Sequence, residues 1–312
     1  MNRAGGKWVR FQIHPLFWLV IGSGVWTGYF IELLTLFVVV LVHELGHLAA
    51  ARAVGWRIGS LELLPFGGVL RVDEWGTAPA RDEVVVALAG PFQHLFMILF
   101  SLLFYHTGFW SEHWTGYFIQ ANCMIAGFNL LPIYPLDGGK VLQATMSYFF
   151  PYRLCITFTL LLGMGLSVCL LACAFVLPES GVWIHLAGIA LFLLFSNIMA
   201  WRQKNFQYIR FLLNRAGNRT PTAGRRRKRS VQGDLTLKGA VKQLYKETVH
   251  EWEVRDRHGR VLGCVSEQLL LDACVNKGLH HLKVKELLPK SGWGQPIHTP
   301  RRIGHTYHRK SF

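Results

Sequence analysis

The chain has 312 residues, of which 51% are hydrophobic and only 16% are charged, and its formal net charge is +15. A chain of this length usually forms about two domains. Its long apolar runs are confined to residues 16–201, whereas residues 202–312 have the composition of a water-soluble segment. This uneven distribution excludes an ordinary soluble protein and predicts a polytopic membrane domain followed by a soluble domain. In such a protein Lys and Arg mark the segments that lie on the cytosolic side of the membrane. The positive net charge is therefore explained by membrane topology, and no direct nucleic-acid partner is expected.

Two further features narrow the class of protein. The six cysteines include no CxxC pair, which argues against a disulfide framework or a zinc finger and favours reduced, packed thiols. At the N-terminus no small-residue cleavage site follows an apolar core, so the sequence predicts a retained start rather than a signal peptide.

Six segments are predicted to cross the lipid bilayer, since a span needs about 20 apolar residues. They are residues 13–30, 32–52, 83–105, 115–135, 154–177 and 182–201. Before residue 202, nine Lys and Arg residues lie in the N-terminus and in the links after the second and fourth spans, and none lies in the other three links. Because cytosolic links carry the excess of these cations, both termini are predicted to be cytosolic. The expected fold is an all-α, integral multi-pass membrane domain.

The most informative motif, His43-Glu44-Leu45-Gly46-His47, lies in the apolar run of the second span. Residues four apart share one face of an α-helix, so both imidazoles can point to one place. Two neutral imidazoles at this spacing suit Zn²⁺, and Glu44 could accept a proton from a metal-bound water. The alternative is a histidine pair that packs between helices beside a glutamate that faces water. Metal binding is favoured, because three ionisable groups in an apolar span are costly without a function.

Residues 61–72, between the second and third spans, cannot form a regular helix because they contain Pro65 and Gly67-Gly68. Two short strands around a glycine turn are predicted, as a re-entrant β-hairpin whose backbone polar groups are satisfied by protein. Its edge could pair with an extended substrate by strand addition, which makes Phe66, Gly67 and Gly68 candidate substrate-binding residues. A surface loop with a few apolar residues is the alternative.

The fourth span ends in a segment rich in proline and glycine, residues 129–139. In membrane helices such residues usually occur where the backbone lines a cavity. A catalytic zinc typically has three protein ligands and one water, so Asp137 is predicted to be the third ligand. The alternative role for Asp137 is a helix cap. Asn129, Pro132 and Pro135 are predicted to shape the site and bind substrate rather than metal.

The HExxH motif at residues 43–47, followed by the N-x-x-P-x-x-P-L-D-G pattern at residues 129–138, resembles the site-2 protease family of intramembrane zinc metalloproteases. The resemblance covers residues 1–201 and implies a metalloprotease domain there. It implies that the two histidines and Asp137 bind one Zn²⁺ and that Glu44 activates water. It also implies cleavage of a peptide bond in or near a membrane segment of a protein substrate.

Polar residues in the third and fourth spans carry weaker signals. His94 follows Gly90-Pro91 in the third span, and Asn122 lies in the fourth. For His94 a packed, hydrogen-bonded histidine is favoured over a spare metal ligand.

The tail is predicted to have three parts. Residues 202–231 form a basic linker, whose five consecutive cations at residues 225–229 can attract the anionic surface of the bilayer. Residues 232–290 then show a helix, a strand, a turn, a second strand and a helix. This order resembles a single CBS domain, a small α/β module that often senses adenine nucleotides, so ATP is a candidate ligand. Because these modules act in pairs, a homo-oligomer formed through CBS pairing is implied. Residues 291–312 are assigned no structure.

Six spans followed by one CBS domain resemble the sporulation branch of the same family. That resemblance implies a membrane-tethered sigma-factor precursor as the substrate, inhibitory membrane proteins as partners, and a location in the forespore outer membrane. The alternative function is a metal-ion transporter with a regulatory CBS tail, which would use the same three ligands but has no need of Glu44. A catalytically inactive scaffold is a third possibility, which the complete set of four residues argues against.

Overall fold

The computed structural model describes residues 10–13, 15–64, 67–72, 74–176, 182–217 and 225–288. The chain divides into two compact units. The first comprises residues 1–225 together with 242–249, and the second comprises residues 226–241 together with 250–312. A short piece of the tail therefore belongs to the first unit, although the residues on both sides of it belong to the second.

Helices dominate the described part of the first unit. They are α1 (Pro15–Thr27), α2 (Phe30–Ala53), α3 (Ala80–His106), α4 (Glu112–Asn129), α5 (Asp137–Met146), α6 (Tyr152–Val176) and α7 (Val182–Ala216). Four of them, α2, α3, α6 and α7, are long and apolar enough to cross a membrane. Only 22–33% of the residues in their apolar windows are buried, so most apolar side chains point outwards, where lipid is as apolar as they are. A mostly helical membrane domain is thereby confirmed.

The predicted count of six spans is supported only in part. α1 has 13 residues and α4 has 18, and neither is among the four described helices that qualify by length and composition. Both overlap predicted spans, at residues 13–30 and 115–135. The count of six therefore stays a prediction, and so does the cytosolic location of both termini, which depends on it.

Helix α7 extends beyond residue 201, the predicted end of the sixth span. With 35 residues it is about 52 Å long, whereas the hydrocarbon core of a bilayer is about 30 Å thick. It continues because no glycine or proline interrupts the chain between Gly188 and Gly217. Within the predicted linker, 202–231, the end of α7 and the strand Arg225–Gln232 are regular structure, and the bounds of the linker stay a prediction.

A three-stranded sheet accompanies the helices of the first unit. It consists of β1 (Arg10–Ile13), β2 (Ile58–Leu64) and β3 (Gly67–Val72), in the order β1-β2-β3. β2 and β3 form the predicted antiparallel hairpin, which is confirmed, with Leu64 opposite Gly67. β1 was not predicted; it pairs in parallel with β2. Among the described strands, β3 thus has a neighbour on one side only.

The second unit contains a second sheet, in the order β4-β5-β6. The strands and helices of this part of the chain are β4 (Arg225–Gln232), α8 (Leu237–Val241), β5 (Thr248–Arg255), β6 (Val261–Ser266) and α9 (Glu267–Leu271). The first residue of β4 and the first two of β5 are assigned to the first unit. The predicted strand, turn, strand and helix are confirmed, and Trp252 of β5 is completely buried. On the surface, hydrogen bonds from Lys285 and Arg257 hold the pKa of Asp234 well below its usual range. Resemblance to a CBS domain stays a prediction.

The tail segment 242–249 contacts the helices of its own unit through buried polar groups. Lys246 forms an ion pair with Glu83 of α3 at 2.6 Å, and both side chains are buried. The guanidinium of Arg215 donates hydrogen bonds to the backbone oxygens of Tyr245, Lys246 and Thr248. The segment is therefore part of the helical unit.

Candidate active site

Helix α2 carries the HExxH motif on a buried face. Four residues at intervals of four positions are all buried, with 0–5% of their surface exposed: Val39, His43, His47 and Ala51. Because this spacing places them along one side of the helix, the two histidines lie one turn apart and point the same way. Their rings meet edge to face, with centroids 4.7 Å apart.

The neighbouring helix α3 can approach the histidines because it has a glycine there. A Cβ atom at Gly90 would overlap Nε2 of His47 and would lie 2.5 Å from its Cε1 and 2.8 Å from Cε1 of His43. On the other side of the contact, a Cβ at Gly46 would lie 2.6 Å from the oxygen of Ala89. The small residues therefore create the space that the imidazoles occupy.

Asp137 is the first residue of α5, and its carboxylate lies next to the two histidines. The two glycines that follow it allow α5 to begin against the preceding loop, since a Cβ at Gly139 would lie 2.6 Å from Ile133. Its Oδ2 faces the histidines, and its Oδ1 accepts a hydrogen bond of 3.0 Å from Nζ of Lys140. Lys140 thus occupies one carboxylate oxygen and leaves the other directed at the imidazoles.

The three donor atoms form a nearly equilateral triangle. His43 Nε2 and His47 Nε2 lie 3.1 and 3.0 Å from Asp137 Oδ2, and 3.1 Å from each other. In a tetrahedral zinc complex with bonds of about 2.0–2.1 Å, neighbouring donors are about 3.3 Å apart. The spacing and the donor types therefore match a zinc site with three protein ligands.

The protonation of His47 strengthens the case for a cation. Its Nδ1 lies 2.7 Å from the backbone oxygen of Val86, which can only accept a hydrogen bond. Nδ1 therefore carries a proton, and in the neutral imidazole that a metal ligand must be, Nε2 presents a lone pair to Oδ2 of Asp137. Two lone pairs at 3.0 Å repel each other unless a positive charge lies between them. The residues present fit a bound zinc ion.

Glu44 lies next to His43 on α2, and only 7% of its surface is exposed. Within the described part of the chain its carboxylate makes no hydrogen bond to protein. A buried carboxylate that retains its lone pairs at this position is suited to accept a proton from water.

The other predicted site residues lie at the end of α4, in the loop before α5 and at the start of β3. Asn129 ends α4, and its Nδ2 donates a hydrogen bond of 3.0 Å to the oxygen of Ile125. Pro132 and Pro135 are half-buried in the loop that leads to Asp137. Gly67 and Gly68 begin β3, opposite Leu64 and Leu63, while Phe66 lies outside the described residues. Their contacts with substrate stay predictions.

Several residues of the site were not predicted. The role of Lys140 was missed, although its position three residues after Asp137 on a helix could have indicated a contact. Asn197 of α7 is fully buried, and its Nδ2 donates to the oxygens of Tyr134 and Leu193. It therefore anchors the loop before Asp137. A single asparagine in an apolar helix gave no sign of this partner.

The chain is similar to known proteins. Residues 31–111 match the family model of peptidase family M50. Over 213 residues the chain is 36% identical to the stage IV sporulation protein FB of Bacillus subtilis, which covers 67% of this chain and 73% of that protein. The chain belongs to peptidase family M50, the site-2 proteases. A zinc metalloprotease of Methanocaldococcus jannaschii is 36% identical over 122 residues, which are 38% of this chain and 34% of that protein. A solved site-2 protease from the same organism is 25% identical, with a TM-score of 0.49, and the match covers 64% of this chain and 93% of that chain.

As an M50 peptidase, the protein is a zinc metalloendopeptidase and an integral membrane protein. The resemblance seen in its motifs is confirmed. The family match includes residues 43–47 but ends before Asp137. The proximity of Asp137 to the histidines therefore comes from the structure and not from the family match.

Proposed function

We propose that this M50 peptidase cleaves a membrane-tethered protein precursor near the cytosolic face of the membrane. His43, His47 and Asp137 would hold the zinc ion, and Glu44 would be the general base. The observation that carries the proposal is the triangle of buried donor atoms, 3.0–3.1 Å apart. When bound there, zinc would polarise a water molecule and the carbonyl group of the scissile peptide bond.

Glu44 would move the protons of the reaction. It lies between the two histidines in the sequence, one residue after His43, so its carboxylate can reach a water bound beside them. It would take a proton from that water and return it to the nitrogen of the leaving amine. The carboxylate is buried and without a hydrogen bond in the described part of the chain, which supports this role.

The substrate would be held in an extended conformation. A helical segment keeps its carbonyl groups in internal hydrogen bonds, so it must unwind before one of them can react. Strand β3 offers its open edge from Gly67 onwards for pairing, as the described sheet order allows. Asn129, Pro132 and Pro135 belong to the segment that ends at Asp137, so contacts there would bring the substrate towards the donor atoms.

The proposed substrate is a sigma-factor precursor made during sporulation. Support comes from the resemblance of the motifs and tail to the sporulation branch, and from the 36% identity to a stage IV sporulation protein. By the same reasoning, membrane proteins would hold the enzyme inactive, and it would lie in the forespore outer membrane. The distribution of Lys and Arg supports six spans with both termini in the cytosol.

The tail is proposed to be a CBS-like module over residues 232–290. The strand, turn, strand and helix support this fold class. Pairing of two such modules between protomers would make a homo-oligomer, and ATP or another adenine nucleotide would be its ligand. Isothermal titration of the purified full chain with ATP and AMP tests the ligand, and no heat at millimolar nucleotide would contradict it.

Co-expression with a membrane-tethered sigma-factor precursor tests the main proposal. The wild type is expected to produce the shortened product on an immunoblot. Glu44→Gln should keep its zinc, measured by metal analysis of the purified protein, but lose cleavage by about 100-fold or more. Glu32→Gln makes the same chemical change at the start of the same helix and should cleave normally.

Each result has a separate meaning. Normal cleavage by Glu44→Gln would remove this residue from the mechanism. Cleavage of other tethered proteins, but not of the sigma-factor precursor, would refute the substrate and leave the peptidase site intact. Zinc uptake into cells that is unaffected in Glu44→Gln, without any cleavage, would favour the transporter.

A further inference from the structure

A chain of three hydrogen bonds extends from the candidate zinc site into helices α3 and α4. His43 Nδ1 lies 3.0 Å from His94 Nε2, and His94 Nδ1 lies 2.9 Å from Asn122 Oδ1. Asn122 Nδ2 donates a hydrogen bond of 2.8 Å to the backbone oxygen of Phe118. His94 and Asn122 are 2% and 0% exposed, so water does not compete for these contacts.

The backbone oxygen of Phe118, at one end of this series of hydrogen bonds, determines which group donates in each of them. A backbone oxygen only accepts, so the amide nitrogen of Asn122 must face Phe118 and its oxygen must face His94. His94 Nδ1 therefore donates. A neutral imidazole has one N–H group, so His94 Nε2 accepts, and His43 Nδ1 must donate to it. His43 Nε2 is then left with a lone pair, directed at Asp137 and His47.

If donors and acceptors were exchanged along this series, two acceptor oxygens would face each other. If His94 donated to His43, its Nδ1 would be an acceptor and Asn122 would have to turn its amide nitrogen towards it. The amide oxygen would then face the oxygen of Phe118, which leaves two acceptors in contact in a buried site. The arrangement of donors and acceptors thus selects one tautomer of His43.

We infer that His94 and Asn122 are positioning residues that fix the tautomer and ring orientation of His43 for zinc binding. The inference rests on the proposed function, in which His43, His47 and Asp137 are the ligands. Partners of this kind usually change metal affinity by about 10–100-fold when they are removed.

The two histidine ligands differ in what holds them. His47 donates to the backbone oxygen of Val86, which no substitution removes. His43 depends on a side chain, and that side chain depends on another. The His94 ring contacts the side of His43 that is remote from the donor atoms, with ring centroids 5.1 Å apart. This position argues against the alternative of His94 as a spare metal ligand.

Two substitutions of His94 separate hydrogen bonding from packing. His94→Leu fills the space but removes both hydrogen bonds. His94→Gln keeps an acceptor for His43 and a donor for Asn122, so it can preserve the direction of the chain. Asn122→Leu removes the amide at the other end and leaves both histidines in place. Ser101→Ala is the matched control, since Ser101 is a buried polar residue of α3 whose hydroxyl bonds only to its own helix in the described structure.

The measurement is Co²⁺ and Zn²⁺ binding to the purified full-length protein in detergent, followed by the visible absorption spectrum of bound Co²⁺ and by metal competition. His94→Leu should bind about 10–100-fold more weakly than the wild type, with a changed spectrum, and Asn122→Leu should change in the same direction. His94→Gln should remain within about threefold of the wild type, as should Ser101→Ala. His47→Ala should abolish binding, which shows that the ion occupies the proposed site.

The outcomes distinguish this inference from the proposed function. Normal binding by His94→Leu, or an equal loss in His94→Leu and His94→Gln, would overturn the inference alone. If His94→Leu does not fold, Asn122→Leu and His94→Gln still decide it by the same comparison. A wild type that takes up no Co²⁺, or whose binding survives His47→Ala, would overturn the proposed function and the inference together.

Discussion

Gly90→Ala is expected to disable the enzyme by adding one carbon atom. In the middle of α3, a change from glycine to alanine normally stabilises a helix by about 0.5–1 kcal/mol. At this position the new Cβ would overlap Nε2 of His47 and would lie 2.8 Å from Cε1 of His43. Carbon atoms in good contact are about 3.5–4.0 Å apart, so the rings or the helix must move by about 1 Å.

The expected size of the effect follows from that displacement. A misplacement of about 1 Å in a catalytic group can reduce the rate by about 100-fold. Overpacking of a filled site costs about 1–3 kcal/mol, which exceeds the gain in helix propensity. Gly90→Ala should therefore lose both zinc and cleavage, and its melting temperature should fall. Gly127→Ala is the matched control, because a Cβ there has no atom within 4 Å.

The assay measures zinc per protein molecule, cleavage of a co-expressed precursor and thermal unfolding for both variants. Gly127→Ala should match the wild type in zinc and cleavage and should be equally or more stable. A Gly90→Ala protein that retains full zinc and normal cleavage would show that α3 does not press against the two histidines. The packing of the site would then have to be revised.

Three further predictions concern the ligands and their supports. Asp137→Asn should lower zinc content and cleavage together, because a neutral amide binds zinc more weakly; unchanged zinc in metal analysis would remove Asp137 from the ligands. Asn197→Leu should destabilise the protein by about 1–3 kcal/mol in thermal unfolding, because the oxygen of Tyr134 loses a buried donor; an unchanged melting temperature would contradict this. Lys246→Met should lower the free energy of unfolding by about 3–5 kcal/mol, since it removes the counter-ion of the buried Glu83, and Glu83→Gln in the same chain should recover part of that loss in a double-mutant comparison.

The parts of the site that could be predicted are those set by local periodicity. The interval of four residues on one helix predicted that His43 and His47 lie together. The pair of glycines at residues 67–68 predicted a hairpin in place of a helix. Asp137 could be added because the chemistry of zinc requires a third ligand and the topology gave the matching depth. Local rules suffice for these features because each depends on residues that are close in the sequence.

The features that could not be predicted depend on contacts between distant residues. The partner of Asn197 is 63 residues away, and that of Lys246 is 163 residues away in the sequence. β1 was missed because a four-residue strand has no pattern of its own and exists only through its pairing with β2. The continuation of α7 beyond residue 201 was not predicted, because the change from apolar to charged residues was taken only as the end of a span, whereas charged residues also propagate a helix well.

The eight residues 242–249 have a consequence for exchanging parts between relatives. They are encoded inside the tail, yet they supply the counter-ion of Glu83 and the acceptors for Arg215. A chimaera that takes its tail from another peptidase should fold only if these eight residues stay with their own helices. Removal of everything after residue 225 would take away the counter-ion of the buried Glu83 and the three backbone acceptors of the buried Arg215. In an exchange between relatives, these eight residues should therefore be kept with the membrane helices and not with the second unit, whose residues flank them in the sequence.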